Sequence, residues 1–225
     1  MTKTKRYQHF LEAPRCFSYH YQEPPLNLGL DTSKPIIIEV GCGSWAYTKT
    51  LAEHDPNGQY IGVDSKSDRM SFGVEYCIKH HIDNTRRLRS QVDHLLQCIP
   101  LVSVDHLRIT FPDPRPTRDR QKLTSPKYQS IYRSLLRPWW TLHLKTDDEL
   151  FFDYSLQALW SWWRKIITTE KDIYKDWSLI PWNQFDPIRW VQTYYEQQRL
   201  KKWRKIHYLS VSREDGDSQE SNSSL

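Results

Sequence analysis

The stretch Pro35 to Trp45, PIIIEVGCGSW, decides how the rest of the chain is read. Its isoleucines, Glu39 and Val40 form a short, largely β-branched run that stops at Gly41 and Gly43. Such a run, bounded by glycines, fits a strand buried on both faces. The glycine turn lets a ligand approach the backbone closely, because no Cβ stands in the way. AYTKTLAEHD (46–55) follows with helical character and completes a strand–turn–helix unit.

Working outward, QYIGVD (59–64) is a second strand ending in Asp64, and SDRMSFGVEYCIKHH (67–81) a second helix. An acid about 20 residues past the glycine turn is where nucleotide-binding sheets accept ribose hydroxyls. G-C-G-S-W-A lacks the third glycine of a dinucleotide fingerprint, so a nucleoside fits better. A glycine turn alone would more often only pack a helix on a strand; the acid spacing adds weight to the ligand reading. TRRLR (85–89) is a weak third strand, SQVDHLLQCI (90–99) is helical, and VDHLRITF (104–111) is a further strand. Alternation of this kind predicts an α/β fold, a doubly wound and mostly parallel sheet with helices on both faces. Ligands of such sheets bind at the carboxyl ends of the strands.

Further on, Ser125 is placed as an N-cap with Pro126 at the first helical position, opening a helix through Leu136. WWTLHLKT (139–146) alternates as a strand. Residues 147–167 read as a helix with Phe152, Leu156, Leu159 and Trp163 on one face. IHYLSV (206–211) reads as a last strand, antiparallel at an edge. The expected organisation is an N-terminal arm over 1–34 with some helix, one domain over 35–211, and a polar, disordered tail over 212–225.

TFPDPRP (110–116) ends a strand in one carboxylate held between two prolines. Pro112 and Pro114 fix their own φ and push the preceding residues towards extended geometry. Asp113 is thereby pinned, as a carboxylate that must point at something would be. An aspartate capping a turn is the commoner fate of Asp beside Pro.

Length, at 225 residues, suits one domain with a full core, and a net charge of +5 permits polyanionic partners. No run reaches the roughly 18 apolar residues of a membrane span, and the first residues carry no signal-peptide core. Cys16, Cys42, Cys77 and Cys98 have neither metal-site nor disulfide-scaffold spacing, and the histidines show no metal-ligand spacing. A reducing cytoplasm is the simplest home, with no metal. No glycine lies between Gly73 and Gly216, so Pro, Asn, Asp or Ser is expected to make the tight turns there.

FPDP, a basic segment, L-T-x-P, a helix ending L-x-P, L-H-L-K-T-D and finally T-x-Y-E occur in that order behind the GxG strand. Together they resemble the bacterial tRNA (guanine-N7)-methyltransferases, class I enzymes dependent on S-adenosylmethionine, over about Ile36 to Tyr208. The resemblance implies a seven-stranded Rossmann-like sheet. It implies methyl transfer to N7 of a guanine in tRNA, the variable-loop guanine at position 46. It implies cofactor contacts from Glu39, Gly41, Gly43, Asp64, Gln91 and Val92, with Gln91 standing where the family usually has another acid. Asp113 matches the active-site carboxylate. Asp147, Thr193 and Glu196 match substrate-contacting positions, as does Thr117, which stands where a lysine is common and whose lost charge Arg115 or Arg118 could supply. Trp45 replaces a glycine and is expected either to crowd the methionine end of the ligand or to repack the turn. Trp139 and Trp140 replace two turn glycines.

Two segments are strongly basic. Residues 108–133 hold seven Lys or Arg against Asp113 and Asp119, and residues 188–207 hold six against Glu196. Either could follow an RNA backbone, although solvated faces are the commoner fate of such runs. Trp160, Trp162 and Trp163 are expected in the core rather than on bases. Two other readings stand beside the leading one: a catalytically impaired or inactive RNA-binding protein on a methyltransferase fold, and a methyltransferase with another substrate. Whether the chain is a monomer or a homodimer is open.

Overall fold

A computed structural model describes residues 2–175 and 191–213. Its centre is a sheet in the order β1-β4-β3-β2-β5-β6-β8-β7. The strands are β1 (Cys16–Ser18), β2 (Ile36–Val40), β3 (Gln59–Asp64), β4 (Thr85–Arg89), β5 (Val104–Thr110), β6 (Leu136–Thr146), β7 (Arg164–Glu170) and β8 (His207–Arg213). β1 to β6 pair in parallel, while β8 runs antiparallel to both β6 and β7. The doubly wound expectation holds, with eight strands among the described residues rather than seven. The extra one, β1, comes from the N-terminal arm, which also carries helix α1 (Lys3–Glu12).

β2 and β3 are central, so successive side chains are buried on opposite faces. Ile36, Ile38, Val40, Ile61 and Val63 enter the larger core with Leu107, Leu142 and Phe152. Ile37 and Tyr60 enter a second core on the other face with Phe10, Trp45, Tyr47 and Leu51. Helix α2 (Ala46–His54) covers that second face. The expected second helix is broken into α3 (Ser67–Met70), a 3₁₀ turn and α4 (Val74–Lys79). Residues 92–97 form a 3₁₀ turn.

Two helix-to-strand junctions differ from expectation. Helix α5 (Pro126–Leu135) passes into β6 at Leu136, and α6 (Glu149–Trp163) into β7 at Arg164, without an intervening turn. Residues 164–167 therefore leave the predicted helix, and β7 rather than β8 is the sheet edge. The β-branched run Ile166 to Thr169 prefers the ladder with β8 over another helical turn. Asp148 caps α6 by accepting the Phe151 amide at 2.7 Å. Ser125 precedes α5 as expected, but its hydroxyl donates to the Arg120 carbonyl and caps nothing. Trp163 packs edge-on to Trp140 at 4.4 Å, whereas Trp160 is exposed.

The missing glycines are replaced in an unexpected way. His81, Val102, Phe111, Arg115 and Trp203 take positive φ, where Asn, Asp or glycine would be at ease. No helix among the described residues is long and apolar enough to cross a membrane. The tail was expected from residue 212, but Ser212 and Arg213 complete β8; residues 214–225, and Arg189 of the second basic segment, lie outside the described residues.

Candidate active site

Strand order reverses between β2 and β5, and at the carboxyl ends of these strands lies a cleft of about 890 Å³. One rim is built by β2 and β3. Glu39, 2% exposed, accepts hydrogen bonds from the Thr48 amide at 3.1 Å and from the Thr48 and Thr110 hydroxyls. Burial pushes its pKa up to about 7, against the opposing pull of those donors and of Arg108. The turn behind it folds back on β3: the Gly41 and Cys42 amides both donate to the Val63 carbonyl, at 2.8 and 3.1 Å. Gly41 and Gly43 sit at φ 75° and 54°, which only glycine adopts without strain. A Cβ on Gly41 would also press on Leu123 at 3.2 Å. Asp64 accepts the Gly43 amide on one oxygen and the Lys66 amide on the other, both at 2.9 Å. Two strand ends and one turn thus hold each other.

Gln91 and Val92 follow β4 and also face the cleft, Gln91 with an exposed side chain. Next to them is a group that sequence reasoning missed. Asp93 pairs with the Lys127 ammonium and stands 3.4 Å from the Tyr128 hydroxyl, so the turn after β4 and helix α5 are bridged across the cleft wall. Nothing in the local sequence joins residues 34 positions apart.

Of the two expectations for Trp45, the turn repacks. The residue takes φ 65° and buries its indole completely, away from the cleft, against the Arg87 guanidinium at 3.9 Å. Gly62 makes the room: a Cβ there would lie 2.1 Å from the indole Cδ1. Trp139 points to solvent and donates to Asp105 at 3.0 Å, and Trp140 is in the core. Neither lines the cleft.

The opposite rim is the loop after β5 together with helix α7 (Tyr194–Leu200). Phe111, at φ 47°, donates its amide to the Lys145 carbonyl at 2.7 Å, and Pro112 is buried behind it. The Asp113 side chain stays 75% exposed at the cleft. One of its oxygens accepts the Arg115 amide at 3.3 Å, a turn of the kind common beside proline, and the Arg115 guanidinium lies 3.8 Å from the other. Arg115 lines the cleft too. Thr117 and Arg118 do not; with Asp113, Arg115 and Gln121 they line a side recess of about 310 Å³.

The T-x-Y-E residues divide. Thr193 lines the cleft and caps α7 by accepting the Glu196 amide at 3.2 Å. Thr-x-x-Glu is a capping-box pattern, so the helix start was legible in the sequence. Glu196, expected to touch substrate, is fully buried outside the cleft. It meets the buried Lys145 ammonium at 2.6 Å and the Tyr174 hydroxyl at 2.7 Å. Burial raises its pKa in spite of Lys145. Asp147 is also outside the cleft lining, held by Arg199 at 3.2 Å and by the Tyr195 hydroxyl at 3.4 Å. Both acids fasten α7 to the end of β6.

The family model described as "Putative methyltransferase" matches residues 33–208. A tRNA (guanine-N(7)-)-methyltransferase of Christiangramia forsetii is 32% identical, with 78% of this chain and 77% of that protein covered. One of Cytophaga hutchinsonii is 33% identical, with 78% of each covered. The chain belongs to the tRNA (guanine-N7)-methyltransferase family. Solved structures of the same fold include the 16S rRNA methyltransferase KamB, at TM-score 0.57 and 14% identity over 80% of this chain and 87% of that one. A 16S rRNA (adenine(1408)-N(1))-methyltransferase of Catenulisporales acidiphilia, solved with cosubstrate SAM, gives TM-score 0.56 at 14% identity over 96% and 94%. At that identity they speak for the class I methyltransferase fold alone. This family's Asp113 and Thr193 positions share the cleft with the strand-end acids; its Asp147 and Glu196 positions lie behind one rim.

Proposed function

We propose that the chain is a cytoplasmic enzyme that methylates N7 of a guanine in tRNA, the variable-loop guanine at position 46, from S-adenosylmethionine. The observation that carries this is one cleft with two unlike rims: buried strand-end acids and a glycine turn on one side, an exposed carboxylate between prolines on the other.

The residues fit the cofactor. Glu39 and Asp64 supply acceptors for a cationic, hydroxyl-bearing nucleoside, and Gly41 and Gly43 place no Cβ over the cleft floor. Gln91 and Val92 would flank the base. When bound, S-adenosylmethionine supplies an activated methyl group on a sulfonium. The chain's own tasks are then few. N7 of guanine carries an in-plane lone pair, so no residue has to remove a proton before attack. The rims must align the two reactants and exclude water, and such orientation is worth several kcal/mol. Asp113 stands where positive charge develops on the base and stabilises it electrostatically. Arg115, Thr117 and Arg118, which line the recess beside that carboxylate, and Thr193 at the cleft serve as substrate contacts, with Asp147 acting through α7.

The reading as an inactive RNA-binding protein leans on Trp45, Trp139 and Trp140 and on the polar groups missing at Gln91 and Thr117. All three indoles lie outside the cleft lining, which favours the enzyme, while Gln91 at the cleft and Thr117 in the side recess still stand where an acid and a lysine are usual. Transfer of label from S-adenosylmethionine to unmodified bulk tRNA tests the proposal. Label recovered as 7-methylguanosine at position 46 supports it. Binding of tRNA without transfer, by a folded chain that binds S-adenosylmethionine, sinks it.

A further inference from the structure

Helix α7 begins at the cleft and ends at Leu200, and Lys201-Lys202-Trp203-Arg204-Lys205 follow it. The end of the helix is a Schellman motif: the Trp203 amide donates to the Leu200 carbonyl at 2.9 Å, and the Arg204 amide to the Arg199 carbonyl at 3.1 Å. The residue between must be left-handed, and glycine normally fills it. Here it is tryptophan at φ 56°. Such a position costs a bulky residue on the order of 1 kcal/mol. Trp45, the other tryptophan at positive φ among the described residues, recovers its strain by burial. Trp203 recovers nothing, because it is 95% exposed, the most exposed large apolar side chain among the described residues.

Its surroundings say what would cover it. Lys201, Lys202, Arg204 and Lys205 are all exposed, and among the described residues no carboxylate pairs with any of them. A bare indole flanked in sequence by four exposed cations disfavours a basic partner. It suits a polyanion that also offers flat faces. At the other end of α7, Tyr194 is 75% exposed and lines the cleft. The ten positions from Thr193 to Trp203 span about 15 Å at helical rise, or roughly four nucleotides stacked at 3.4 Å.

We propose that Trp203 is a stacking platform for an unpaired base of the RNA, a few nucleotides from the guanine in the cleft, with the four cations holding the adjoining phosphates. This rests on the tRNA reading above and adds a second contact point to it. The strained tryptophan is then kept for its face, since every base presents a π-face that an indole can stack on.

Trp203→Gly tests it cleanly, because glycine relieves the left-handed strain and the variant should melt no lower than the parent. Binding of unmodified tRNA is measured by titration at several salt concentrations, alongside S-adenosylmethionine binding and steady-state kinetics. The expected result is tRNA affinity weaker by about 5- to 100-fold, a KM for tRNA that rises more than kcat falls, and unchanged S-adenosylmethionine affinity. Trp203→Phe should recover part of the loss. Lys201→Ala with Lys202→Ala should make the dependence of log affinity on log salt shallower by about 1.5. If the parent binds and methylates tRNA and Trp203→Gly does so equally well, the platform is wrong and the function stands. If the parent binds no tRNA, the functional reading fails and the platform with it. Binding to anionic vesicles that depends on Trp203, without such dependence for tRNA, overturns the proposal in favour of a membrane surface.

Discussion

The two rims of the cleft hold their carboxylates by opposite means. On the β2–β3 rim, Glu39 is buried and meets three donors of its own chain, so its position is fixed before any ligand arrives. On the other rim, Asp113 is three-quarters exposed and has only the Arg115 amide and a long ion pair. Its rigidity comes from the backbone, through Pro112, Pro114 and the Phe111–Lys145 tie. The β2–β3 rim is finished by the protein's own hydrogen bonds, whereas the rim at Asp113 is left open to water. Beneath the open rim lies one concentrated support, the buried Lys145–Glu196 pair.

That contrast can be broken at four places. The largest effect is expected at the support. Glu196→Ala removes the carboxylate that faces the buried Lys145 ammonium at 2.6 Å, and should lower stability by about 3–5 kcal/mol in a denaturant titration. Adding Lys145→Met should restore most of it; if the single variant is as stable as the parent, α7 does not depend on the pair. Next, Asp113→Ala should lower kcat about 100-fold or more, with the melting temperature and S-adenosylmethionine affinity unmoved. A fall in stability there would mean the carboxylate is a structural cap and the two rims are alike.

Third, Glu39→Gln should weaken S-adenosylmethionine binding about tenfold by calorimetry. It should also change the pH dependence of the unliganded protein. Glu39 keeps its proton in the folded chain up to about 7, whereas the unfolded chain loses it near 4.5. The folded state binds more protons over that window, so this group removes stability as pH rises from about 4.5 to 7 and the loss is complete above. The variant should therefore melt above the parent at about pH 8 and level with it at about pH 4. Equal melting at both would show that burial does not perturb this acid. Smallest is Arg115→Ala, which should weaken tRNA binding about threefold and reduce the salt slope by about one. No change in slope would place Arg115 off the phosphates.

Much of the β2–β3 rim was legible because its parts are local. β-branched runs, glycines at forced φ and an acid at a strand end are each written within a few residues, and parallel topology brings strand ends together. The open rim was legible only as a list of residues. Thr193 and Glu196 lie three apart, yet one lines the cleft and the other is buried against Lys145, 51 positions earlier. β7 was hidden because Arg164 to Ile167 continue an apolar helix without a glycine or proline to stop it, and only the ladder with β8 converts them to strand.

The sequence by itself determined the parallel sheet, the turn at Gly41–Gly43 and the stiff loop around Asp113, since backbone sterics and hydrophobic periodicity act over short separations. Tertiary structure decided where the substituted side chains went. Trp45 could have filled the cleft or the core, and it fills the core because Gly62, on the neighbouring strand, leaves room for an indole. Glu196 could have faced the substrate, and it turns inward because Lys145 offers a buried countercharge. Packing and charge pairing join residues far apart in the chain, and their outcome depends on volumes and distances that exist only once the sheet has formed.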